Sequence, residues 1–409
     1  MTTLINTALK TFSYFVGLSK DVKLLITGQA FFMFQMGLMQ LVLPIFFAKT
    51  GMDGTQVGMI ITAGQLTAAF LSLPLGMLAD RYGRKKFVTS ASLLAGASFL
   101  GYIVFTRFIH VLLDSIVLGL AISMFYAPFS AWMANVTLPE RRNAVFSLSS
   151  AVNMIGVVAA SLLAWLPPLL RTQLAFNELD SYKPVIAVAA IMPIFAAPVF
   201  ALVKEDLVVD GKRSFLPRKS IHVISRISVV QALFALGAGL VIPLFPYWFY
   251  LRFKVDETVL APLYAVANIT LLFSFLLAPR LAESFGVVRT IVYSQTLATI
   301  LLVLIPLAES YAVAGVLVVL RGLFMNMVNP LVTSLILGLT DPEERATSSG
   351  VMAITWSVPN AATPTVGGYL MQNVSLSLPF YLCGIFYGVA VFLFYVFFRG
   401  KNPHIWPAF

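Results

Sequence analysis

Twelve stretches of this chain are apolar over close to twenty residues or more, and this repetition constrains the fold more than any motif. They lie at 24–48, 57–79, 87–106, 111–138, 144–166, 185–203, 227–249, 259–279, 290–308, 312–339, 347–372 and 379–398. A transmembrane helix needs about 20 mostly apolar residues, because each backbone N–H and C=O in the hydrocarbon layer must be satisfied within the segment. Twelve such stretches in 409 residues leave little chain for anything else. The expected fold class is an all-α integral membrane protein of twelve transmembrane helices. Composition agrees: 59% of residues are hydrophobic and 11% charged, against about 45–50% and about 25% in soluble domains.

An even number of spans returns both termini to one side. Twenty of the 27 Lys and Arg fall on that side and six on the other, with Arg321 inside a span. Because Lys and Arg are retained in the cytoplasm, both termini are expected there, in the cell membrane. The net charge of +10 is then a topology signal, and no nucleic-acid partner is expected, since a binding patch needs clustered, solvated bases. The sequence divides into an arm (1–23), a first bundle (24–203), a cytoplasmic linker (204–226), a second bundle (227–398) and a tail (399–409). The first apolar run is long enough to span, which argues against a cleaved leader. Lys10, Phe12, Tyr14, Phe15 and Lys20 fit either a helix lying on the membrane surface or a frayed terminus. The single cysteine, Cys383, excludes an internal disulfide and a cysteine metal cluster. Neither a metal nor a cofactor is expected.

The two bundles are copies. At an offset of 203 residues, Gly76–Lys86 falls on Pro279–Arg289, Thr137–Arg142 on Thr340–Arg345, and Thr55, Thr67 and Phe70 on Thr258, Thr270 and Phe273. The offset skips six spans, so matched spans share an orientation. The pseudo-two-fold axis therefore runs along the membrane normal, an arrangement found in the halves of one transporter class. The run Gly76-Met-Leu-Ala-Asp80-Arg-Tyr-Gly83-Arg84-Lys-Lys86, placed between the second and third spans, resembles the signature loop of the major facilitator superfamily, and Pro279–Arg289 stands where that family carries its second copy. The resemblance covers nearly the whole chain and implies a secondary transporter of two six-helix bundles.

That resemblance also implies a cytoplasmic gate. Asp80 is suited to a helix N-terminus or a base, and the repeat offers both, the start of span eleven and Arg142. Gly83 permits a tight turn and Arg84 follows it. Glu283, Gly286 and Arg345 form the weaker second copy. For the basic residues of the loop, simple anchoring of the helix end is the alternative reading. Span five carries Gly156 without the Gly-Pro pair common in antiporters of the family, which weakens an antiporter assignment.

The offset pairs Ser123, Tyr126 and Ser130 in span four with Asn326, Asn329 and Thr333 in span ten. Spacings of three, four and seven place each trio on one helix face, as a shared polar cavity requires; interhelical hydrogen bonding is the alternative. By resemblance, spans one, four, seven and ten line the central cavity. Gln29 and Gln40 in span one and Gln231 in span seven are secondary candidates. Arg321 and Asp114 are the clearly charged residues inside spans, and such charges are functional candidates by default. Arg321, about 13 Å deep at 1.5 Å per residue, is placed to bind an anionic group. Asp114 is a candidate for proton coupling, but at about 100° per residue it lies opposite Ser123, which favours a boundary or structural role beside His110 or Arg107.

The leading function is secondary active transport of a small organic solute by alternating access. One intramembrane Arg and no nearby acid favour an anionic or neutral amphiphile, and efflux is preferred by resemblance alone. A lipid or lysolipid transporter and a non-transporting receptor of the same fold remain alternatives. An enzyme would need paired carboxylates, a metal cluster or a nucleophile with its base at membrane depth, and no phosphate-binding Gly-x4-Gly-Lys-Ser/Thr loop is present. The expected partners are the small-molecule substrate, the lipid bilayer and a coupling proton, around a monomer.

Overall fold

A computed structural model describes residues 17–204, 220–341 and 344–399. The arm up to residue 16, most of the linker and the tail from 400 lie outside the described residues. Sixteen α-helices are described: α1 (Lys20–Lys49), α2 (Gly54–Tyr82), α3 (Arg84–Val104), α4 (Phe108–Val136), α5 (Arg142–Leu162), α6 (Leu166–Leu174), α7 (Lys183–Ala201), α8 (Ile221–Val241), α9 (Phe245–Phe253), α10 (Glu257–Phe285), α11 (Val287–Leu304), α12 (Tyr311–Met327), α13 (Asn329–Leu339), α14 (Arg345–Ala362), α15 (Pro364–Asn373) and α16 (Leu378–Phe398). Among the described residues, ten helical stretches are long and apolar enough to cross a membrane. The two remaining sequence spans are helical as well. The span at 259–279 lies in α10, and that at 347–372 is divided between α14 and α15, whose Thr, Ser and Asn lower its hydropathy.

Several spans that read as continuous are broken, and the breaks follow proline, which lacks the N–H that the preceding turn needs. Pro243 sits in the short turn between α8 and α9, Pro330 follows the break at Val328 between α12 and α13, and Pro364 opens α15 after Thr363. The two signature-loop glycines behave alike. Gly83 and Gly286 end α2 and α10 with φ of 109° and 82°, a region open to glycine and costly to other residues. Their N–H groups donate to Ala79 and Ala282, each at 2.9 Å, so the 203-residue repeat extends to the main-chain hydrogen bonds.

The described residues form two compact units, those within Met1–Phe46 and Thr67–Asp210 and those within Phe47–Leu66 and Gly211–Phe409; α2 is thus divided between them. The first is packed on aromatic rings: Phe32 of α1 stacks on Phe125 of α4 at 3.6 Å, and Phe129, Trp132 and Phe200 complete the cluster. In the second, Trp248 of α9 packs against Phe249 and against Phe380 of α16. Phe70, Val104, Ile155 and Phe392 are exposed, as large apolar side chains of helices that cross lipid can be.

Candidate functional site

In the first unit the signature loop fastens helix ends together. Asp80 pairs with Arg84, one turn on, at 2.6 Å. Arg84 is itself buried and donates to the Ala131 carbonyl of α4 at 3.2 Å, while Lys85 donates to the Val203 carbonyl after α7 at 2.9 Å. Arg142 donates to the Ala134 carbonyl at 3.0 Å. In the second copy Glu283 is exposed and the position matching Arg84 is Val287, so that ion pair has no base. Gly286 supplies the turn, and Thr290 donates to the Leu281 carbonyl at 3.0 Å. The Arg345 side chain lies outside the described residues.

The polar trios divide by burial. On α4, Ser123 is buried and donates to its own helix at Leu120, whereas Tyr126 and Ser130 are exposed. The Tyr126 hydroxyl meets Met33 Sδ of α1 at 3.5 Å. Gln29 is buried and accepts a hydrogen bond from Ser149 of α5, while Gln40 is exposed. In the second unit Asn326 and Asn329 flank the α12–α13 break. Asn326 Nδ2 donates to Gly322 at 2.9 Å, Asn329 Nδ2 to Asn326 Oδ1 at 3.4 Å, and Thr333 to the Asn329 carbonyl at 2.9 Å. Pro330 removes the usual helical donor to the Asn326 carbonyl, which takes the Val328 N–H instead. Asn329 and Thr333 are exposed, and Gln231 of α8 is half-buried.

The two intramembrane charges face neutral neighbours. Arg321 is 8% exposed, its Nη2 donates to the Tyr387 hydroxyl of α16 at 2.9 Å, and the guanidinium lies over the same ring. The Asp114 carboxylate turns to α3, where the Ser98 hydroxyl donates to Oδ1 at 3.0 Å and Gly101 leaves it room. Its partner is thus Ser98, while His110 lies against the Phe105 ring.

Sequence reasoning missed the closest helix contacts of the second unit. Gly54, Gly58 and Thr62 recur every fourth residue on the first turns of α2. A Cβ on Gly58 would meet the Pro364 carbonyl, and one on Gly368 would meet the Gly54 carbonyl. Thr62 and Thr365 hydroxyls bond at 2.9 Å, and Gln372 Oε1 accepts from both the Tyr247 hydroxyl and the Gly54 N–H. At the next crossing, Asn360 and Thr363 donate to the Ala235 and Leu236 carbonyls of α8. Small residues every fourth position mark close membrane-helix crossings, and that pattern in α2 was the available signal.

Comparison with known proteins agrees with this architecture. The sequence profile described as Major Facilitator Superfamily matches residues 25–220 and 227–408. The chain is 20% identical to the uncharacterized membrane protein YJR124C of Saccharomyces cerevisiae, over 90% of this chain and 91% of that protein. It is 28% identical to the multidrug resistance protein MdtH of Aeromonas hydrophila over 30% of this chain and 31% of that one. Among solved structures, the nucleoside transporter NupG superposes with a TM-score of 0.73 at 13% identity, covering 93% of this chain and 100% of NupG. The inward-open xylose transporter XylE from E. coli superposes with a TM-score of 0.71 at 13% identity, covering 96% and 98%. The chain belongs to the major facilitator superfamily, and is therefore a multi-pass membrane protein and a secondary transporter rather than an enzyme.

Proposed function

We propose that this transporter moves a small organic solute, anionic or neutral and amphiphilic, by alternating access between two six-helix halves, 24–203 and 227–398, as a monomer in the cell membrane with both termini cytoplasmic. The observation that carries the reading is the break at Val328, with Asn326, Asn329 and Thr333 around it. Discontinuous membrane helices present free backbone groups and polar side chains to substrate. In the first unit the repeat-related face on α4 offers Tyr126 and Ser130, with Gln40 on α1, as further candidate contacts, and buried Ser123 and Gln29 hold their own helices; in the second unit Gln231 is a further candidate. The charge preference rests on Arg321, with no acid on either face. The similarity to MdtH over part of the chain supports export, and the proton is the proposed coupling ion. Asp80, Gly83, Arg84 and Arg142 act as the cytoplasmic latch, with Glu283, Gly286 and Arg345 as its weaker partner.

Flux of candidate organic anions into proteoliposomes, with and without a pH gradient, tests this reading. Gradient-driven flux is expected, and Asn326→Ala with Asn329→Ala lowers it about tenfold, the worth of one or two lost hydrogen bonds. Saturable ligand binding with no flux in any gradient points to a receptor and overturns the proposal.

A further inference from the structure

Arg321 is the eleventh residue of α12 and Tyr387 the tenth of α16, so both lie about 14–15 Å along their helices at 1.5 Å per residue, near the middle of a hydrocarbon layer about 30 Å thick. The surroundings are neutral. Tyr387 is fully buried, its ring edge-on to Phe234 of α8 at 4.9 Å and its hydroxyl within reach of the Cys383 thiol one turn earlier. Among the described residues no carboxylate pairs with Arg321. The described acids of this unit, Asp53, Asp256, Glu257, Glu283, Glu309, Asp341 and Glu344, stand at helix ends or in connections. A buried guanidinium that lacks a counter-charge is costly, and inside a membrane span such a charge is a functional candidate.

One donor without an acceptor accompanies that charge. Arg321 Nε is buried and has no hydrogen-bond partner. The Tyr387 hydroxyl accepts from Arg321 Nη2 and turns its own proton to the Cys383 sulfur, a weak acceptor that an anion would outcompete.

We propose that Arg321 and Tyr387 hold one monovalent anion inside the second unit, either the carboxylate of an organic ligand or chloride. Arg321 Nε–H is the free donor, the Tyr387 O–H becomes the second by turning away from the Cys383 sulfur, and the charge balance sets the valence. A single positive charge among neutral groups is cancelled by one negative charge, whereas a divalent anion leaves a net buried charge. The carboxylate form rests on the transport reading above; binding of an anion does not.

The test uses the purified full-length protein in a sodium sulfate buffer of constant ionic strength, with chloride or benzoate replacing sulfate, read by unfolding midpoint and by titration calorimetry. At least one of the two is expected to bind saturably and raise the midpoint, Arg321→Gln to abolish the effect, and Tyr387→Phe to weaken affinity about tenfold, the scale of one charge-assisted hydrogen bond. Benzoate binding that chloride displaces identifies a carboxylate site; chloride binding indifferent to benzoate identifies a resident chloride. Three results each overturn the proposal: no saturable effect of either anion, an effect undiminished in Arg321→Gln, or sulfate competing as strongly. If Arg321→Gln does not fold, unchanged affinity in both Arg321→Lys and Tyr387→Phe overturns it equally. Anion binding without flux would leave this proposal standing and refute transport.

Discussion

Substitution of Gly58 by alanine probes the tightest crossing in the second unit. The added Cβ would meet the Pro364 carbonyl oxygen, with Thr365 Cα at 2.8 Å and the Pro364 carbonyl carbon at 2.9 Å. All three are main-chain atoms, so no side-chain rotation relieves the clash and α2 must move away from α15. Overpacking of this kind costs about 1–3 kcal/mol. Separation also strains the Thr62–Thr365 pair and the Gly54–Gln372 bond, each worth about 0.5–1.5 kcal/mol. Since about 1.4 kcal/mol is tenfold in an equilibrium constant, the opened form of the crossing should gain at least about tenfold. Thiol labelling reads this directly, because the native cysteine, Cys383, is buried. Thr365→Cys should label slowly with a maleimide, and about tenfold faster when Gly58→Ala is added. Equal labelling rates with an unchanged unfolding midpoint would refute the claim that the glycine face holds α2 against α15.

Other perturbations test the loop and the charges. Arg84→Ala leaves the Ala131 carbonyl without its donor and Asp80 without its base; as Asp80 is half-exposed, the expected loss is about 1–2 kcal/mol, seen as a lower unfolding midpoint that Arg84→Lys does not fully restore. Gly286→Ala forces alanine into a backbone region at φ 82° and ψ 150° and should cost about 1–3 kcal/mol, while Gly388→Ala, where an added Cβ meets nothing, should be near neutral in the same melt. Asp114→Asn should leave pH-gradient-driven flux largely intact, because the carboxylate faces Ser98 and α3; flux that persists but no longer responds to the gradient would assign coupling to Asp114.

Much of the architecture was legible from local properties. The span placed at 87–106 is α3, Arg84–Val104, and that at 379–398 is α16, Leu378–Phe398, because hydropathy over twenty residues directly reflects the cost of entering hydrocarbon. The signature loop was equally legible, since a glycine that ends one helix and starts another leaves a mark at one position. The breaks at Val328 and Thr363 were less so: proline in a membrane span can bend it, interrupt it or merely pack, and the choice depends on which neighbours satisfy the freed carbonyls. The Ser123 and Tyr126 pair shows the same limit. Helical periodicity put them on one face, yet one is buried and the other exposed, because burial depends on neighbouring helices that periodicity does not name.

From the sequence alone came the membrane class, the order of the apolar helices, the 203-residue repeat and the family's loop. Each follows from the backbone's need for internal hydrogen bonds in lipid or from a single residue's conformational range. Tertiary structure alone decided that Arg321 rests on Tyr387, 66 residues away, and that the glycine face of α2 meets α15. In lipid the hydrophobic effect does not choose which helix faces meet; close packing and buried polar partners do, and those depend on residues distant in the chain.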